Sequence, residues 1–122
     1  MMKFFNKTIT MLSIALMMLT SCDAQVNNAK TDTVKIYGNC GMCKKTIEKA
    51  GNLENIAKVN WNKDTKMATI SYDSSKTTLD EILQRIANVG YDSDAFTTPD
   101  EVYNNLHGCC QYERPKRNNN QK

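Results

Sequence analysis

The sequence offers little for membrane crossing or for enzyme chemistry. One apolar run, Ile9 to Leu19, is uncharged but well short of the ~20 residues needed to span a bilayer as a helix. Histidine occurs once, at His107. No pair of carboxylates is placed for general acid–base work, and there is neither a Ser-His-Asp arrangement nor a phosphate-binding loop, so the chain is expected not to be an enzyme. No basic stripe with interleaved aromatics is present, which argues against a nucleic-acid partner. No internal repeat is visible, and 122 residues leave room for one domain at most.

The short apolar run fits the h-region of a secretory signal, with Lys3 and Lys7 as its basic n-region. The residues that follow, Leu19-Thr20-Ser21-Cys22, resemble the lipobox of bacterial lipoproteins. That resemblance implies cleavage before Cys22, lipidation of its thiol, and a membrane-anchored protein facing the periplasm or the cell exterior. The alternative is an ordinary signal peptide cut nearby, which leaves Cys22 a plain thiol. Loss of residues 1–21 removes two lysines and no acids, leaving 14 basic and 13 acidic residues and a side-chain net charge of +1. The basicity of the whole chain thus resides partly in its targeting segment. Residues 22–32 are polar and aperiodic and read as a tether. Its ten residues from Asp23 have a reach of ~17 Å.

From Thr33 the pattern becomes regular. Thr33 to Tyr37 alternates as a first strand, and a turn at Gly38 to Cys43 leads into a helix carrying Cys43, Ile47 and Ala50 on one face and stopping at Gly51. Ile56 to Trp61 and Met67 to Tyr72 read as a hairpin. A second helix opens with the capping box Thr78-x-x-Glu81, turns Leu79, Ile82, Leu83 and Ile86 inward and ends before Gly90. Tyr91 to Phe96 is a weaker fourth strand. The order β-α-β-β-α-β predicts an α+β fold, the ferredoxin-like sandwich, with an antiparallel sheet and both helices on one face. Trp61, Tyr72, Leu83 and Ile86 are expected in its core.

The chemistry is in cysteine. Apart from Cys22 there are four, in two close pairs: Cys40 with Cys43, and Cys109 with Cys110. A Cys-x-x-Cys at a strand-to-helix turn places two sulfurs together at a helix start, where unsatisfied N–H groups lower thiol pKa values. Such thiolates suit soft ions such as Cu(I) and Zn²⁺. Gly41 between them is expected to let the loop bend tightly. By itself the motif fits a metal site, half a zinc site, a disulfide or a redox pair.

Gly38-Asn39-Cys40-Gly41-Met42-Cys43, the Lys-Lys-Thr-Ile-Glu-Lys-Ala that follows, the hairpin and Val89-Gly90-Tyr91-Asp92 together resemble the heavy-metal-associated domain. This is the module of copper chaperones, copper-transporting ATPases and the periplasmic mercuric-ion-binding protein, and the resemblance spans about Thr33 to Phe96. It implies a soft-metal carrier or store with Cys40 and Cys43 as ligands, Cu(I) first and Zn or Hg as other candidates. It also implies Tyr91 as an outer-shell neighbour and a metal transporter or other thiol-bearing acceptor as partner. Gly38 stands where the family usually has a Met anchoring the loop, which predicts a looser loop. Met42 reads as an exposed or packing residue more than a ligand. Lys44, Lys45 and Lys49 near the site are candidates to steer an acidic partner, or form a solvated helix face. The competing function is a thiol–disulfide redox protein using Cys40 and Cys43.

Residues 97–112 lie beyond the sandwich. Thr98-Pro99-Asp100-Glu101 carries the signature of a helix start, with Thr98 as N-cap, and the helix is expected to reach Leu106. Adjacent cysteines do not readily bond to each other, so Cys109 and Cys110 need another partner. The helix spans ~12 Å and two extended residues add ~7 Å, close to the ~20 Å of a six-residue strand. The tail can therefore return Cys109 and Cys110 to Cys40 and Cys43. There they complete a site of up to four thiolates, with His107 as a further candidate neighbour, or act as a second station, or form disulfides. Residues 113–122 are polar, basic and asparagine-rich and are expected to be disordered.

Overall fold

A computed structural model describes Val26 and residues 28–116; the expected signal segment and Cys22 lie outside the described residues. Three strands form one antiparallel sheet in the order β1-β3-β2, with β1 at Ala29–Lys35, β2 at Ala57–Trp61 and β3 at Met67–Asp73. Helix α1 covers Gly41–Gly51 and α2 covers Leu79–Asn88. Ala57, Val59 and Trp61 of β2 face Tyr72, Ile70 and Ala68 of β3 across the ladder, and all six are buried. Period-2 alternation puts them on one face. Cys43 and Ile47 of α1 and Ile82, Leu83 and Ile86 of α2 join them in a single core, so both helices cover that face as expected for a ferredoxin-like sandwich.

The start of α2 follows its sequence signature. The Thr78 hydroxyl accepts from Glu81 N–H at 3.1 Å, while the Glu81 carboxylate accepts from the Thr77 hydroxyl at 2.9 Å rather than reaching the cap backbone. Helix α1 approaches β2 so closely at Gly51 that a Cβ there would lie 2.4 Å from a Val59 methyl.

Three expectations need correction. First, β1 starts at Ala29, within the stretch read as a tether, and ends at Lys35. Polar cross-strand pairs hold this extension. The Tyr72 hydroxyl donates to Asp32 at 2.6 Å, and Thr31 and Ser71 share a hydrogen bond at 3.3 Å. Such pairs stabilise a ladder without producing an apolar alternation.

Second, the fourth strand is reduced to one bridge, Ile36 to Ser93, beside a backbone bond from Tyr37 N–H to Asp92 C=O at 2.9 Å. The chain turns at once, with Ser93 N–H bonded to Phe96 C=O and Phe96 N–H to the Ser93 hydroxyl. Buried Asp92 ties the same segment to Thr98 and Arg114 instead of letting it run along β1.

Third, helix α3 is shorter than expected, at Asp100–Asn104, and Thr98 does not cap it. The Thr98 N–H is taken by Asp92 at 2.7 Å and its C=O by Arg114 at 2.8 Å, which leaves its buried hydroxyl without a partner. The Pro99 carbonyl begins the helix by accepting from Val102 and Tyr103. Leu106, beyond the helix end, packs on Gly90. There φ is +116°, and a Cβ would lie 2.8 Å from a Leu106 methyl, so both backbone and space require glycine.

Candidate metal centre

The site grows from the β1–α1 turn. Cys40 has extended backbone angles and directly precedes α1, while Cys43 lies in the first helical turn with its side chain in the core. Their sulfurs are 3.6 Å apart. The N–H of Asn39 donates to Cys43 Sγ at 3.4 Å, fixing the loop that enters the helix. Gly41 proves sterically unconstrained, since a Cβ there would meet nothing within 4 Å. The loop without an ion therefore does not itself require glycine at this position.

Gly38 is the constrained glycine. It is buried, and a Cβ would sit 3.0 Å from two ring atoms of Trp61 and 3.3 Å from the Cys43 Cβ. The indole fills the space beneath the loop and is itself fixed by a hydrogen bond from Nε1 to Ile36 C=O at 2.9 Å. A residue with no side chain thus rests directly on aromatic carbon, with no space left there for a larger one.

The tail does return to this turn. After α3, a short 3₁₀ turn at Gly108–Cys110 begins with Cys110 N–H bonded to His107 C=O at 2.7 Å. It brings Cys110 Sγ to 3.8 Å from Cys40 Sγ. Among the described residues, Cys40, Cys43 and Cys110 form a metal-holding cluster whose sulfurs all lie within 4.8 Å of one another. All four cysteines of the described residues are free thiols, at separations far beyond the ~2.05 Å of a disulfide. Cys109 is brought beside the cluster without joining it, and His107 precedes the 3₁₀ turn and is not part of the cluster either. Both are exposed, and Cys109 Sγ lies 3.9 Å from Cys110 Sγ and 3.7 Å from Met42 Sδ.

The electrostatics of the three sulfurs differ. Backbone N–H groups of Cys43 and Met42 at the start of α1, with help from the Cys43 and Cys110 thiols, bring Cys40 down to about 7. Burial, then the neighbouring Cys43 thiol, pushes Cys110 up to about 12, against an opposing pull from Tyr91. Tyr91 is buried beside Cys110 and Cys43. Desolvation and its interactions with Cys110 and Cys43 hold its proton firmly. A buried hydroxyl in that position donates towards sulfur and favours the thiolate.

Sequence reasoning missed what secures Cys110. Tyr112 is buried, donating its hydroxyl to Gly90 C=O at 2.8 Å and accepting from Asp92 N–H at 2.8 Å. Its ring stacks on Tyr91 and Tyr37 and meets Tyr103 edge-on. Arg114, in the stretch expected to be disordered, forks onto both oxygens of buried Asp92 at 2.9 and 3.2 Å and also reaches Asp100 and Thr98 C=O. Arg114 is therefore part of the fold, and residues 117–122 lie outside the described residues. Lys44, a candidate for partner steering, is occupied with Glu48, Asn60 and Trp61 C=O, while Lys45 and Lys49 are exposed.

A profile of the heavy-metal-associated domain matches residues 33–92. A mercuric transport protein periplasmic component from Shewanella putrefaciens is 33% identical over 89 residues, which cover 71% of this chain and 94% of that one. The chain belongs to the heavy-metal-associated domain family. It is accordingly a heavy-metal-binding domain with a cysteine cluster suited to soft ions such as copper or mercury. A solved structure of a CopZ metallochaperone is also similar, at 26% identity and a TM-score of 0.49, covering 52% of this chain and 98% of that one. The matched family region ends at residue 92, so Cys110, Tyr112 and Arg114 lie in a segment beyond it.

Proposed function

We propose that the protein is a non-enzymatic, lipid-anchored, extracytoplasmic carrier or store of Cu(I), held by Cys40, Cys43 and Cys110. The observation that carries this reading is the cluster of three sulfurs. Metal–thiolate bonds of ~2.3 Å set the sulfurs of a trigonal site ~4.0 Å apart, so the 3.6 and 3.8 Å separations need open only by a few tenths of an ångström. Structural zinc sites are four-coordinate, and neither Cys109 nor His107 belongs to the cluster, which favours a soft ion content with three sulfurs. The periplasmic mercuric transport relative supports an extracytoplasmic setting and keeps Hg²⁺ as a second cargo. Cys22 in its lipobox-like context supplies the anchor. Delivery to a transporter or other thiol-bearing acceptor would proceed by stepwise exchange of sulfur ligands.

Native mass spectrometry of the reduced protein with Cu(I) and Zn²⁺ tests this. One Cu(I) should bind, the Cys40→Ser/Cys43→Ser pair should abolish uptake, and Cys110→Ser should weaken it. Undiminished uptake by the double variant would sink the proposal. A thiol–disulfide enzyme is the second reading, favoured by the lowered pKa of Cys40 beside the buried Cys43 thiol. Metal-independent reduction of insulin would establish it.

A further inference from the structure

Cys109 and Met42 are outside the three-sulfur cluster, yet their sulfurs face each other at 3.7 Å. Met42 lies in the first turn of α1 with 49% of its surface exposed, and Cys109 is exposed on the 3₁₀ turn opposite. The Asn39 side-chain amide donates to Cys109 C=O at 3.4 Å, tying that turn to the loop before Cys40. From this outer pair the sulfurs run inward as a continuous file. Cys109 Sγ is 3.9 Å from Cys110 Sγ, Cys110 is 3.8 Å from Cys40, and Cys40 is 3.6 Å from Cys43. The two outer sulfurs belong to exposed residues, Cys40 is partly buried, and Cys110 and Cys43 are buried. Every step is short enough for one ion to touch two neighbouring sulfurs at once.

Building on the metal-binding reading above, we propose that Met42 and Cys109 form an outer loading station through which a soft monovalent ion enters and leaves the inner site. A thiolate and a thioether together suit Cu(I) and give it a weaker hold than three thiolates. The ion binds Met42 Sδ and the Cys109 thiolate, whose proton has gone to solvent. Cys110 then gives up its own proton to solvent and bonds the ion as Met42 departs. Cys40 and Cys43 bond next, each thiol releasing its proton to solvent, and Cys109 leaves and takes up a proton from water. Copper stays Cu(I) throughout, so no oxidant or reductant is consumed. Unloading follows the same steps in reverse, with an acceptor's thiol taking the ion at Cys109.

The test separates rate from affinity. Cu(I) is presented as its bicinchoninate complex to the reduced protein, and loss of the chelate colour is followed by stopped flow and then at equilibrium. Met42→Leu and Cys109→Ser change exposed side chains of similar size, so both variants should fold. Each should load at least about tenfold more slowly with equilibrium affinity kept. The double variant should be no slower than the worse single one, since the two sulfurs act as one station. Loading within about twofold of the parent in both single variants overturns the station and leaves the three-thiolate reading standing. A large drop in equilibrium affinity on Cys109→Ser also overturns it, by making Cys109 an inner ligand. If the parent protein takes no Cu(I), both readings fall together.

Discussion

Among single residues, the cysteines are distinguished by their surroundings more than by their spacing. Cys40 sits below its ordinary 9.0, at about 7, and Cys110 above it, at about 12. In the metal-free protein the two act in opposite senses. The depressed Cys40 adds stability that is present above about 9 and lost as pH falls through about 7. The raised Cys110 adds stability that is present below about 9 and lost as pH rises towards about 12. For metal uptake they act in concert. An incoming ion must displace the Cys110 proton at any ordinary pH, and below about 7 it must displace one from Cys40 as well. Apparent Cu(I) affinity is therefore expected to fall throughout as the solution is acidified, and to fall more steeply below about pH 7. Competition with a chromogenic chelator across a pH series checks this; a straight line through pH 7 would contradict it. The Cys-x-x-Cys pair was legible in the sequence because a helix start makes a local electrostatic prediction. The shift of Cys110 was not, because it comes from burial by residues far away in the chain.

Among elements, the hairpin and α2 were readable because apolar alternation and a capping box act over a few neighbouring residues. The start of β1 and the fate of the fourth strand were not. Polar ladders such as Tyr72 to Asp32 carry no apolar period, and the run from Tyr91 is diverted by the side chain of Asp92. The segment from α3 to Arg114 was half legible. Its reach followed from helix and strand lengths, but the fastening did not, since Arg114 in a basic, asparagine-rich tail looks like any solvated charge. Asp92 is only 1% exposed, so removing the guanidinium takes two charge-assisted bonds from a buried carboxylate. Arg114→Ala is expected to cost about 2 kcal/mol of stability, less than the ~3–5 kcal/mol of a wholly buried pair because the guanidinium keeps some water. It should also release Cys110 and bring Cu(I) affinity towards that of Cys110→Ser. Denaturant unfolding and chelator competition on the same sample test both parts. Stability lost with affinity unchanged would show that Cys110 is held by the tyrosines alone.

For the whole molecule, the cluster joins segments 70 residues apart, since Cys40 and Cys110 come from opposite ends of the domain. An ion bound there cross-links the C-terminal segment to the α1 turn. Binding to the native state alone stabilises it by ~4 kcal/mol when free ligand stands 1,000-fold above the dissociation constant. One equivalent of Cu(I) is therefore expected to raise the unfolding temperature markedly, with no further gain from a second. In Cys110→Ser the gain should shrink, because the remaining ligands lie only three residues apart. Scanning calorimetry of apo and loaded protein gives the comparison, and equal gains in the two proteins would show that the C-terminal segment is not cross-linked by metal.

The packing of Trp61 beneath Gly38 has an optical consequence. This is the only tryptophan in the chain, and its ring would lie 3.0 Å from a Cβ at Gly38, two residues before Cys40 of the three-sulfur cluster. A shift of that loop must move the edge of the indole or change what touches it. Excited at the red edge of the protein's absorption, the molecule would report its own occupancy as a change in emission, without any attached dye.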